Sequence, residues 1–238
     1  MKDFDIPISV PVVPSLISPL MASEISFESL RESFGLSAAA ARTLDDVRFL
    51  TRSILSPTSS VNNTQKIRST ASWIQNRIES LVEVETKPDT PDIDVIDDTI
   101  RMAGLLYARA VASRKPFSAS NNLELAKRLR NNWMRVNVEA WKRLMGISGW
   151  ILSVGCIGCG TDRLGKFLRR KTGVTGMAIG MENFPLIIST AKLFWMVQRW
   201  LAGEDISARL AGPRDPSSTS SKAIQSEHSE SVPPESST

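Results

Sequence analysis

The sequence predicts an all-α protein with a single helical domain of about six to eight packed helices. Three observations carry that prediction. Apolar residues recur at three- and four-residue steps through most of the chain, and no segment of convincing strand alternation interrupts them. The apolar content of 42% and charged content of 23% are those of an ordinary globular domain. Proline-, serine- and glycine-bearing stretches fall between the periodic segments, where helices must stop.

The first strong helix is expected over 37–55, with Ser37 as its cap and Leu44, Val47, Leu50 and Ile54 as its buried stripe. "SPTSSVNN" ends it. A second helix, about 64–84, aligns Ile67, Trp73 or Ile74, Ile78 and Leu81. A third, about 93–113, brings Ile96, Ile100, Ala103, Tyr107 and Ala110 to one face. Its acids Asp94, Asp97 and Asp98 sit where the helix dipole favours negative charge. A fourth opens near Leu123 and turns Leu125, Leu129, Trp133 and Val136 inward. The amphipathic "DRLGKFLRRK" follows, with Leu164, Phe167 and Leu168 opposite Arg163, Lys166 and Arg170. Then come a glycine-rich loop, "TGVTGMAIG", and a last helix that tolerates Pro185 in its first turn.

The expected organisation is a disordered, proline-rich leader over 1–23, a helical domain over 24–205, and a disordered Ser/Pro-rich tail over 206–238. Asp3, Asp5 and four prolines argue against reading the leader as a signal peptide. Charge is uneven although the net value is only +4. Residues 83–98 carry seven acids against Lys87, whereas 127–171 carry eleven Lys/Arg against Glu139 and Asp162. Solvated faces account for such runs, or a basic surface that meets an acidic partner.

Chemistry is thinly provided. The one histidine, His228, falls in the expected tail, which removes Cys–His and Ser–His pairs and histidine-based metal sites. No catalytic, cofactor-binding or metal-ligating residue is assigned, no cofactor is expected, and the chain reads as no enzyme.

The two cysteines, Cys156 and Cys159, form a CxxC inside the uncharged run Leu144–Thr161. A zinc site lacks two ligands, and a thioredoxin-type dithiol lacks its preceding strand. The same run approaches the roughly 20 residues of a membrane span. Its glycines and hydroxyls, and the basic residues at both flanks, weaken that reading. A buried core helix is expected, with a membrane anchor through 144–161 and a CxxC dithiol protein as the alternatives.

Several segments resemble the regulatory domain of fungus-specific transcription factors, the all-α region of zinc-cluster regulators. These are "LDDVRFLTRSIL" (44–55), "TIRMAGLLYARAV" (99–111), "WKRLMGISGWILSVGCIG" (141–158, with Trp141, Gly149, Trp150 and Gly155), and "LIISTAKLFWMVQRWL" (186–201). The likeness spans roughly 40–202. It implies a nuclear, non-enzymatic transcription-regulator-like module acting through protein partners or as a homodimer. The family's six-cysteine zinc cluster has no counterpart here, so no direct sequence-specific DNA contact is expected from this chain. On this resemblance the chain is either a stand-alone module or a regulator whose zinc cluster lies upstream.

Overall fold

A computed structural model describes residues 14–56, 61–81, 90–117, 123–157, 163–182, 184–204 and 206. Among these, nine α-helices and one 3-10 turn occur and no strand does, as an all-α single domain requires. After the turn Pro14–Leu16 come α1 (Phe27–Phe34), α2 (Ala38–Ile54), α3 (Val61–Glu79), α4 (Asp92–Ser113) and α5 (Leu123–Arg135). The short α6 (Val138–Lys142) leads into α7 (Met145–Ile157), α8 (Arg163–Glu182) and α9 (Phe184–Leu201).

Local chemistry sets the helix ends. Ser26 and Ser37 cap α1 and α2 by accepting from the backbone N–H groups of Ser29 and Ala40. Asp45, on α2, accepts from the Phe27 and Glu28 N–H groups at 2.9 and 3.1 Å, so α2 also caps α1. Gly35 closes α1 in a left-handed conformation at φ 70° that a side chain would oppose.

The organising helix is α4, which packs against α2, α3, α5 and α7. The expected stripe of Ile96, Ile100, Ala103, Tyr107 and Ala110 is fully inside. Of the α3 alternatives Trp73 and Ile74, Ile74 is buried, while Trp73 is exposed and lies beneath the Arg77 guanidinium. The α2–α4 crossing is close because Gly104 has no β-carbon, a space filled by the Thr43 methyl group.

Two expectations need correction. The leader boundary at 23 is too late, because Leu16, Ile17, Ser18 and Leu20 are buried. Apolar burial retains this segment despite its prolines. The glycine-rich "TGVTGMAIG" is no loop either, since α8 runs through it as one helix. Glycine costs a helix about 1 kcal/mol per residue. A β-carbon at Gly176 would stand in ordinary contact, 3.7 Å from the Ile187 side chain of α9, and one at Gly173 would meet nothing within 4 Å. The expected disorder of 1–13 and of 207–238 lies outside the described residues.

Candidate functional site

Three acids of α4, Asp92, Asp97 and Asp98, hold neighbouring groups in place. Asp98 is only 2% exposed. Its Oδ1 accepts from Arg101 at 2.8 and 3.1 Å; its Oδ2 accepts from Arg128 at 3.1 Å and from Asn132 at 2.8 Å. These contacts clamp α4 to α5. Asp97 accepts from the Ser37 N–H at 3.0 Å, and Asp92 from the Asn137 N–H at 3.2 Å. Burial raises the Asp97 carboxyl above the usual carboxylate range, partly countered by the bond from Ser37. Among the described residues no group of three or more His, Cys, Asp and Glu is placed to hold a metal.

The described part of the cysteine run forms α7, a helix of 13 residues. At 1.5 Å per residue that is about 20 Å, short of the roughly 30 Å hydrocarbon core. No helix among the described residues is long and apolar enough to cross a membrane. Trp150, Ile151 and Leu152 are fully buried. Gly155 admits Leu129 of α5, whose Cδ2 lies 3.1 Å from a β-carbon's position. The Cys156 thiol is buried, and desolvation raises its pKa, the reverse of what a reactive thiolate needs. Cys159 and His228 lie outside the described residues.

An open cleft of about 620 Å³ between the start of α1 and the end of α2 is lined by Glu24, Asp45, Arg48 and Arg52. Asp45 and Arg48 already hold structural contacts there. Arg48 donates to the Ile25 carbonyl at 2.6 Å and stacks on Phe27, with its guanidinium 4.1 Å from the ring centre. Arg52 lies 3.8 Å from Glu24.

The unusual surface is the α8–α9 hairpin. On α9, Phe184, Ile188, Ala191 and Trp195 follow at steps of four, three and four residues, and all four are exposed. On α8, Val174, Met177 and Met181 do the same, with Met181 88% exposed. An apolar helical stripe normally faces the core. Here each helix of the hairpin also turns one outward, and such surfaces mark interaction sites. The first half of α8 adds Arg163, Lys166, Arg169 and Arg170, all exposed. Lys171 lies over the Trp133 and Phe167 rings at 5.3 and 5.8 Å. The sequence placed a last helix here, but periodicity carries no sign of which side of it the rest of the chain covers.

Inside the base of this hairpin is a cavity of about 370 Å³ between the 14–18 segment, α7, α8 and α9. Small residues open it: Gly146, Gly149 and Ser153 from α7, and Gly176 from α8. Leu16, Ile187, Phe194 and Trp195 supply apolar walls, and Gln198 the amide. Ser153 and Thr172 donate their hydroxyls to the Gly149 and Leu168 carbonyls of their own helices at 2.8 and 2.9 Å. The Gln198 Nε2 is buried without a hydrogen-bond partner.

The chain matches no protein-family model, no curated protein and no solved structure, so its fold and surfaces are what bear on its role.

Proposed function

We propose that this protein is a non-enzymatic, transcription-regulator-like helical module that works by protein contact through the α8–α9 hairpin. The observation that carries the docking surface is the solvent-facing stripe Phe184–Ile188–Ala191–Trp195. The partner it suits is an acidic amphipathic helix. Its apolar side would lie on the stripe, and its acids would meet the basic half of α8. A second copy in the same orientation would bring Arg163, Lys166, Arg169 and Arg170 against their own counterparts, which disfavours a parallel homodimer. The nuclear, regulatory part of the reading rests on the sequence resemblance alone.

The test uses the full chain and a synthetic acidic amphipathic peptide bearing leucine and phenylalanine. Saturable binding is expected that weakens with salt and falls at least tenfold in Phe184→Ser and Met177→Ser. Equal binding by these variants would remove the surface from consideration. Stripe-dependent binding to anionic lipid vesicles, with none to the peptide, would make the hairpin a membrane-docking device instead. A tagged full chain excluded from nuclei under all conditions would overturn the regulatory part.

A further inference from the structure

We infer that the cavity between α7, α8 and α9 is a binding site for a neutral, mainly apolar small molecule carrying one hydrogen-bond acceptor. Four observations carry this. Its volume of about 370 Å³ lies in the range of small-ligand sites. Among the described residues none that lines it is charged, which selects against ions and carboxylates. Its walls are aromatic and aliphatic on one side, from Leu16, Ile187, Phe194 and Trp195, and small on the other, from Gly146 and Gly149. A flat ring system between those sides fills such a space.

The fourth observation fixes the polar group. A buried donor without an acceptor is costly, and natural interiors rarely leave one. The Ser153 and Thr172 hydroxyl protons are already committed to helix carbonyls. Of the described lining groups, Gln198 Nε2 is the one that is buried and unpartnered. A ketone, ether or hydroxyl oxygen placed opposite Gln198 satisfies it. The cavity shares Ala191 and Trp195 with the exposed stripe, so a ligand would also brace the hairpin from beneath.

The experiment titrates the full chain with prodan, a neutral naphthalene bearing one ketone, and reads its polarity-sensitive emission. Saturable one-to-one binding with blue-shifted emission is expected. Ser153→Leu and Thr190→Leu, which fill the cavity, should weaken it more than tenfold. Gln198→Met, similar in size but without a donor, should weaken prodan about fivefold to tenfold. It should leave unchanged the binding of the same naphthalene without its ketone, a comparison that stands if a filling variant fails to fold. Met181→Ser, on the outer surface, should bind as the parent does. Absence of saturable binding, undiminished binding in the filling variants that remain folded, or equal sensitivity of both probes to Gln198→Met would overturn the inference. Loss of binding in Met181→Ser would overturn it too, by placing the probe on the exposed stripe.

Discussion

Gly146 of α7 is packed directly beneath the carbonyl oxygen of Leu16, and a β-carbon at that position would overlap the backbone of Leu16 and Ile17. This close approach lets the 14–20 segment close one side of the helical body. A backbone neighbour cannot swing away as a flexible side chain can. Gly146→Ala should therefore lower unfolding free energy by about 1–3 kcal/mol, the usual cost of overpacking. Gly173→Ala is the control, because a β-carbon there meets nothing within 4 Å. It should stabilise α8 by about 0.5–1 kcal/mol. Urea midpoints of the two variants moving in the same direction would contradict this account.

Asp98 holds two arginines and Asn132 around a carboxylate shielded from water. Asp98→Ala strips the shared acceptor from all three. A loss of about 3–5 kcal/mol is expected, as for breaking a buried ion pair by removing one partner. Asp98→Asn keeps one acceptor oxygen and should fall between the parent and the alanine variant. Chemical denaturation monitored by circular dichroism would decide it.

Thr51 on α2 and Tyr107 on α4 share a buried hydroxyl–hydroxyl bond of 2.7 Å. Burial pushes the Tyr107 phenol well above its ordinary value, so it stays neutral throughout the physiological range. Thr51→Val preserves shape and strands the phenol, with an expected cost of about 1–3 kcal/mol. The double variant with Tyr107→Phe should recover part of that loss. A double-mutant cycle with no coupling would contradict the pairing.

Asp97 gives a pH signature of unusual sign. Its folded-state pKa is raised by burial, so the folded protein binds that proton more tightly than the unfolded chain does. Below the unfolded value of ~3.9 both states are protonated and the group contributes no difference. As pH rises through the folded pKa, the cost of a buried charge appears and persists to neutrality. Asp97→Asn should therefore gain stability relative to the parent as pH rises from about 4 to neutrality, with no gain at about pH 3. Paired thermal melts across that range test it, and a gap that narrows with rising pH would count against it.

Cys156 should behave as a packing residue. Desolvation raises its thiol pKa, so the native protein should react with iodoacetamide at pH 8 far more slowly than the unfolded chain at the same site. Mass spectrometry that distinguishes Cys156 from Cys159 reads the outcome. Rapid native labelling of Cys156 would reopen the dithiol reading.

Much of the architecture was legible in the sequence because amphipathic periodicity states which residues a helix must hide. The α4 stripe through Ile100 and Tyr107 and the Ser37 cap of α2 are local patterns of this kind. Less legible were places where one segment makes room for another. "TGVTGMAIG" has the composition of a loop, yet α8 passes through it and α9 packs beside Gly176. The cysteine run drew attention by its chemistry, whereas the helix that packs against α2, α3, α5 and α7 is α4.

The sequence by itself determined the helical class, most helix positions, the inward stripes and the poverty of catalytic side chains. Those properties depend on residues three or four apart, which one chain segment contains. Only the tertiary structure decided that Leu16 and Leu20 belong to the body, that Asp98 is a buried clamp, and that Phe184, Ile188 and Trp195 remain uncovered. It also decided that a cavity opens beneath them. Each of these depends on what lies opposite a residue in space, and periodicity along one helix carries no record of its neighbour.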